Sequence, residues 1–344
     1  MWNGYHPQKR IDTCEVVKMY HIIVNPASKT GKGKLLWADI EPVLIDKGVD
    51  FKVYFSKRPG HVIELVKNIT GLGLAGSPDS IIDLIVLGGD GTLNEALQGV
   101  ADFDRVRIGY IPTGSSNDLA RDLKLSADPI KCLNNILSCK EPSKMDIGCI
   151  EYINAPGELS RDHKKAENIE TKRFFDVSMG IGYDAAVCEE ALTSSMKKAL
   201  NRIGLGKLIY LCIALKQLIK TKTVDVTMVL DDDKKIELKG FLFATCMIHQ
   251  YEGGGFMFCP GADYTDGVLD ICAASGVSKL RVLFGLPKAL KGKHFGIKGI
   301  ERYSASKVSI VSSSPCWIHT DGEVKMKNDS IVITCKKQAL QLLK

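Results

Sequence analysis

Ser80-Ile81-Ile82-Asp83-Leu84-Ile85-Val86-Leu87 runs directly into Gly88-Gly89-Asp90-Gly91-Thr92, and that into Leu93-Asn94-Glu95-Ala96-Leu97. The first stretch reads as a buried strand, and the helix is expected to start at Leu93. Glycines at such a junction let the backbone approach an anion closely, and the helix N-terminus offers it unpaired N–H groups. Asp90 sets a carboxylate among those donors, where a second anion is repelled unless a cation or a proton intervenes. The order of residues and their context point to phosphoryl chemistry with Mg²⁺ rather than to a simple change of direction.

Working outward, the first half of the chain alternates strand and helix patterns. Strands are predicted at residues 20–24, 49–55, 81–87 and 106–111, with helices at 34–46 and 60–68. A polar turn at 113–117 opens a further helix ending near Leu123. Repeated β-α units imply a parallel sheet covered on both faces, with ligands outside the carboxyl ends of its strands. Asn25, residues 88–92 and residues 113–118 each follow a strand directly, so the fold should gather them along one edge.

After Asp146 the pattern changes. Residues 151–172 form a charged stretch with Pro and Gly, expected as an exposed loop. Strand-like runs follow at 174–179, 223–230, 237–248, 268–274, 307–312 and 330–335, with one convincing helix among them, at 195–220. The expectation is an α/β protein whose second domain is β-rich and mostly antiparallel. Its 344 residues are long for one domain. We therefore expect a nucleotide-binding domain over 19–145, rejoined by 326–344, and a β-rich domain over 146–325. Residues 1–18 read as a leader or extension.

The net charge of +6 is unevenly spread: residues 191–224 hold seven Lys/Arg and no acid, and residues 271–320 hold eight Lys/Arg and one acid, Glu301. Two basic runs favour an acidic partner such as an anionic membrane surface. Helix 195–220 interleaves basic with apolar residues, and reads equally as an element lying on a membrane or as a core helix with a solvated edge. The eleven cysteines are scattered and lack a C-x-x-C pair, which fits a reducing cytosol and excludes a disulfide framework. His249, His294 and His319 lack metal-ligand spacing and read as packing or surface residues.

Asn25-Pro26-Ala27-Ser28 with Gly31 and Gly33, residues 88–95, and Thr113-Gly114-Ser115-Ser116-Asn117-Asp118-Leu119-Ala120-Arg121 together resemble the ATP-binding half of the soluble diacylglycerol kinase-like lipid kinases. The second half agrees through Gly253-Gly254-Gly255, Pro260-Gly261-Ala262, Asp266-Gly267-Val268-Leu269-Asp270 and Asp321-Gly322-Glu323. The glycine motif alone is shared with 6-phosphofructokinase and NAD kinase, so the later motifs decide. The resemblance implies a cytoplasmic, peripherally membrane-associated enzyme using ATP and Mg²⁺ to phosphorylate a lipid hydroxyl, most simply that of diacylglycerol. Its partners would be the lipid at an anionic surface and, where it self-associates, a second copy in a homodimer. No nucleic acid is expected.

Roles follow from the same resemblance. Asn25, Pro26, Ala27, Ser28, Ser56, Gly88, Gly89, Asp90, Gly91, Thr92, Leu93, Asn94, Thr113 and Asn117 would surround the nucleotide. Asp90, Asp118 and Asp146 would form an aspartate network around its Mg²⁺, which keeps several waters. Asp118 reads equally as a helix N-terminal charge, and Asp146 as a turn residue. Asp263, Asp266 and the carbonyl of Val268 would hold a second, structural Mg²⁺, although Asp-Gly is also an ordinary hairpin turn. Glu323 would take the proton from the attacking hydroxyl, with Asp321 the next candidate.

Overall fold

In the computed structural model, which describes residues 18–31, 33–71, 80–114, 116–154, 159, 171–193 and 206–344, the first half folds as alternating strands and helices. These are β1 (Met19–Val24), α1 (Ser28–Gly31), α2 (Gly33–Asp46), β2 (Asp50–Phe55), α3 (His61–Thr70), β3 (Ile82–Gly88) and α4 (Asp90–Gly99). Then come β4 (Val106–Pro112), α5 (Asp118–Asp122) and α6 (Pro129–Ser138). The strands lie parallel in the order β4-β3-β1-β2. Side-chain alternation along β1 shows why both faces are covered. Ile22 and Val24 pack with Trp37, Ile40 and Leu44 of α2, whereas Ile23 packs with Val62 and Val66 of α3 and Leu93 of α4.

The second half holds β5 (Ser143–Tyr152), β6 (Lys172–Phe175), β7 (Ser178–Gly182), α7 (Tyr183–Thr193), α8 (Gly206–Lys220), β8 (Val224–Leu230) and β9 (Lys234–Met247). It continues with β10 (Tyr251–Glu252), β11 (Phe256–Met257), β12 (Leu269–Ser275), α9 (Lys279–Ala289), β13 (Ile300–Ala305), β14 (Lys307–Thr320) and β15 (Glu323–Leu343). Its pairings are antiparallel around β9, β14 and β15. Leu269, Ile271, Phe241, Met228 and Ile310 are among the side chains filling its core. One sheet runs through both halves: the end of β15 lies parallel to β4, pairing Gln341 with Arg107 and Leu343 with Gly109.

Several elements differ from the sequence reading. The expected boundaries at 145/146 and 325/326 lie within the continuous strands β5 and β15. The strand expected at 174–179 is two strands, broken where Asp176 and Val177 turn their N–H groups toward Asp321. Helices α7 and α9 were not anticipated. In α7 the buried residues include Ala185, Ala186 and Ala191, too small to mark an apolar stripe. In α9 the buried residues are Val282, Gly285 and Ala289, while Leu280 and Phe284 face outward, inverting the usual pattern. The expected leader and most of the 151–172 loop lie outside the described residues, as do residues 195–205 of the expected long helix.

Candidate active site

Helix α4 begins at Asp90, three residues before its expected start. The Gly89 carbonyl accepts N–H groups from Thr92 (2.9 Å) and Leu93 (3.2 Å), so the glycine-rich turn is itself the first turn of the helix. Glycine is required at position 88, where a Cβ would lie 2.4 Å from that of Thr92. The neighbouring strand ends join this turn through backbone hydrogen bonds: Asn25 N to Leu87 O (3.0 Å), Ser56 N to Val24 O (2.9 Å) and Thr113 N to Gly88 O (2.8 Å). Side chains tie the same edge together. Asn25 donates to Thr92 Oγ1 (2.9 Å) and accepts from Ala27 N (3.0 Å), and Thr113 donates to Ser28 Oγ (2.9 Å). Parallel β-α connection thus gathers the residues as expected from the order of motifs. Pro26 sits in the turn between Asn25 and Ala27.

Asp90 lies at the centre of this edge. Its carboxylate accepts from Asn117 N (2.9 Å), with Asn117 in the left-handed region at φ 50°, and from the Tyr110 hydroxyl (3.3 Å). Burial raises its pKa to about 6, helped by repulsion from Asp118 and Asp321 and opposed by the two donors. Burial also raises Asp118, against the pull of Gly254 N–H (2.8 Å) and the Arg121 guanidinium (2.8 Å). Two neighbouring carboxylates that burial makes reluctant to ionise suit a divalent cation, which would discharge both.

Glu323 arrives from the other half of the chain. A Cβ on Gly91 would lie 3.2 Å from Glu323 Oε1, so this carboxylate stands directly against the first turn of α4. The sequence separates the two residues widely, and the β14–β15 hairpin turn brings them together.

Other expected residues have different duties. Leu93 is fully buried in the core, and Asn94 is enclosed with its side chain fully engaged, donating to Asp321 Oδ2 (2.7 Å) and accepting from Arg173 (3.0 Å). Only the backbones of these two residues are left for a nucleotide. Asp146 does not join Asp90 and Asp118 through its bonds. Its two oxygens accept from Gly267 N (2.6 Å) and Gln338 N (2.6 Å), beside the loop that carries Asp263 and Asp266. Asp321 is a staple rather than a base: its carboxylate accepts from Asn94, Asp176 N, Val177 N and Ser178 N, which leaves no oxygen lone pair for catalysis. Asp176 is fully enclosed beside it, and burial followed by Asp321 repulsion keeps its carboxyl protonated well above the usual range.

The loop with Asp263 and Asp266 is braced by its own backbone: Thr265 N donates to Asp263 (2.9 Å), and Val268 N to Asp266 (2.9 Å). Asp266 has a raised pKa, through burial first and then repulsion from Asp263, Asp146 and Asp270. Hard oxygen donors that repel one another fit Mg²⁺ or Ca²⁺.

Behind the Asp321-Gly322 turn sits a cluster that sequence reading missed. His319 Nε2 faces Asp184 (2.6 Å) and Glu252 (3.1 Å), and Asp184, Cys188 and His319 bring ligand-type atoms within 4.8 Å of one another. The other ring nitrogen decides against a metal there. Gly322 N–H donates to Nδ1 (3.2 Å), which places the ring proton on Nε2, where a metal would have to bind. Burial opposes a second proton on the ring, but Cys188, Asp184 and Glu252 outweigh it and raise the ring's pKa well above the ordinary imidazole value. Taking that proton up would nevertheless cost the Gly322 bond. His319 is a hydrogen-bond hub that fixes the turn presenting Glu323. Neither it nor Arg173 had a signal in the sequence, because their partners come from distant segments.

Two family models match the chain: the diacylglycerol kinase catalytic domain over residues 19–150, and the YegS C-terminal NAD kinase beta sandwich-like domain over residues 177–344. YtlR of Bacillus subtilis, which bears a lipid-kinase name, is 24% identical over 307 residues, covering 89% of this chain and 93% of that one. A diacylglycerol kinase of Mycobacterium tuberculosis is 28% identical over 229 residues, 66% of each chain. Solved structures from Bacillus anthracis described as diacylglycerol kinases share the fold. Their TM-scores are 0.68 and 0.61, at 19% and 17% identity, each covering 95% of this chain and at least 95% of its own.

Proposed function

We propose that this chain, which belongs to the diacylglycerol kinase-like lipid kinases, transfers the γ-phosphate of ATP to a lipid hydroxyl, with diacylglycerol as acceptor and phosphatidic acid as product. The observation that carries this reading is the Glu323 carboxylate standing 3.2 Å from where a Gly91 Cβ would be, over the phosphate-type turn. A base in that place serves an acceptor that must meet a phosphate held by residues 88–92. The backbone of that turn, with Asn25, Ser28, Ser56 and Thr113 beside it, would orient the nucleotide. Glu323 takes the hydroxyl proton as the acceptor oxygen bonds to the γ-phosphorus and the bond to ADP breaks.

Mg²⁺, when bound, neutralises charge on the phosphates, and Asp90 and Asp118 are the residues that would hold it. Asp263, Asp266 and the Val268 carbonyl would hold a second ion with a structural role. Among the described residues no helix is long and apolar enough to cross a membrane, so on this reading the lipid is met at a membrane surface. The test is transfer of labelled γ-phosphate from ATP to diacylglycerol, a sphingosine-type base and phosphatidylglycerol in detergent micelles. Labelled phosphatidic acid is expected. Label on another lipid would replace the acceptor, and ATP binding without transfer to any would leave a nucleotide-binding regulator.

A further inference from the structure

Helix α9 is amphipathic in the wrong sense for a soluble surface. Its buried residues are Val282, Gly285 and Ala289, and Val282 belongs to a core cluster with Leu242, Phe243 and Ile300. Its outward face carries Leu280, 68% exposed, and Phe284, 72% exposed, one helical turn apart. Leu290 just beyond the helix is 50% exposed, and Ile219 near the end of α8 is 78% exposed. The ends of the two helices are joined, because Lys279 Nζ donates to the Ile219 carbonyl (2.7 Å) and the Thr221 carbonyl (3.0 Å). These two joined helix ends thus expose four large apolar side chains.

The charge around them is of one sign. Between Asp270 and Glu301 the chain has six Lys/Arg and no acid. Arg281, Lys288, Lys291, Lys293 and Lys298 are all exposed, and Arg281 and Lys288 flank the Leu280–Phe284 stripe. Apolar side chains bordered by cations suit a surface that is apolar below and anionic above, which is the interface of a bilayer containing acidic lipids.

We infer that α9, with Ile219 and Leu290 beside it, is the face by which this protein docks on an anionic bilayer, inserting Leu280 and Phe284 between headgroups. The inference deepens the proposed lipid-kinase reading, on which it rests for its purpose. The test is co-sedimentation of the full chain with phosphatidylcholine vesicles, with and without phosphatidylglycerol. Binding is expected only with phosphatidylglycerol and should weaken as salt is raised. Changing both Leu280→Asp and Phe284→Asp should weaken it by ~10²-fold or more with an unchanged thermal melt. Lys288→Glu with Lys291→Glu should also weaken it, and should reduce its dependence on salt. Wild-type binding by the apolar double variant, or equal binding to both vesicle types, would overturn the docking face. Transfer to lipid in detergent micelles is read separately: its absence with vesicle binding intact would count against the kinase and not against the face.

Discussion

Glu323 Oε1 lies 3.2 Å from where a Cβ on Gly91 would stand, and the proposed chemistry turns on that approach. Glu323→Gln keeps the size of the side chain but cannot accept a proton. It should lower kcat by ~10²–10⁴-fold while calorimetric ATP affinity hardly changes. Near-normal turnover, with chemistry shown to be rate-limiting, would move the base elsewhere. Asp90 supplies a second prediction at this scale. Its pKa in the folded chain is about 6, above the ordinary 3.8, so the folded state holds this proton more tightly than the unfolded state does. Its contribution to stability therefore falls as pH rises from the ordinary carboxylate value to about 6, and stays lost above that. Asp90→Asn removes the buried charge and keeps an oxygen for the Asn117 N–H. Without metal at pH 7 it should melt a few degrees higher than the wild type and show no transfer. A lower melting temperature would show that the ionised carboxylate is already compensated.

At the scale of elements, the loop that carries Asp263, Asp266 and Val268 stands apart from the strand ends that gather Asp90. If it holds its own Mg²⁺, chelation should lower the melting temperature in the absence of nucleotide, and Asp266→Ala should erase that sensitivity. An unchanged melt in chelator would remove the ion from the loop. The break between β6 and β7 gives a different test. Three successive N–H groups point at one carboxylate there, and losing a charged acceptor leaves buried donors unmet. Asp321→Ala should cost ~3 kcal/mol or more of stability. Asp321→Asn retains one acceptor oxygen and should cost less. Equal melts for Asp321→Ala and the wild type would mean that the staple is dispensable.

Across the whole molecule, the two halves share an apolar core, in which Val177, Leu340 and Leu342 pack with Leu84, Ile108 and Leu119, and polar contacts close the seam beside it. Asp122 on α5 meets His249 (2.7 Å) and Gln250 (2.7 Å), Asp118 meets Gly254 N, and Asn94 meets Asp321. The phosphate-type turn and Glu323 lie on opposite sides of this seam, so its geometry sets their separation. The same arrangement leaves α9 on the periphery, where its apolar stripe has no protein neighbour among the described residues to cover it.

The sequence by itself determined the parallel first half and the edge on which Asn25, residues 88–92 and Thr113 converge. That information is local: each strand is an apolar run, each turn follows it directly, and parallel β-α connection permits one outcome. Strand lengths in the second half were less legible, since β14 and β15 continue through polar residues whose alternation with apolar ones is broken by bulges. Tertiary structure alone decided which carboxylates brace the fold. Asp321, Asp146 and Glu323 look alike along the chain, and only the folded structure shows Asp321 and Asp146 accepting backbone N–H groups from distant segments. It also decided that Leu280 and Phe284 face outward. A helix chooses its buried face by the space its neighbours leave, and here Val282 joins the cluster of Phe243 and Ile300 while Ile297 stands 2.9 Å from where a Cβ on Gly285 would be.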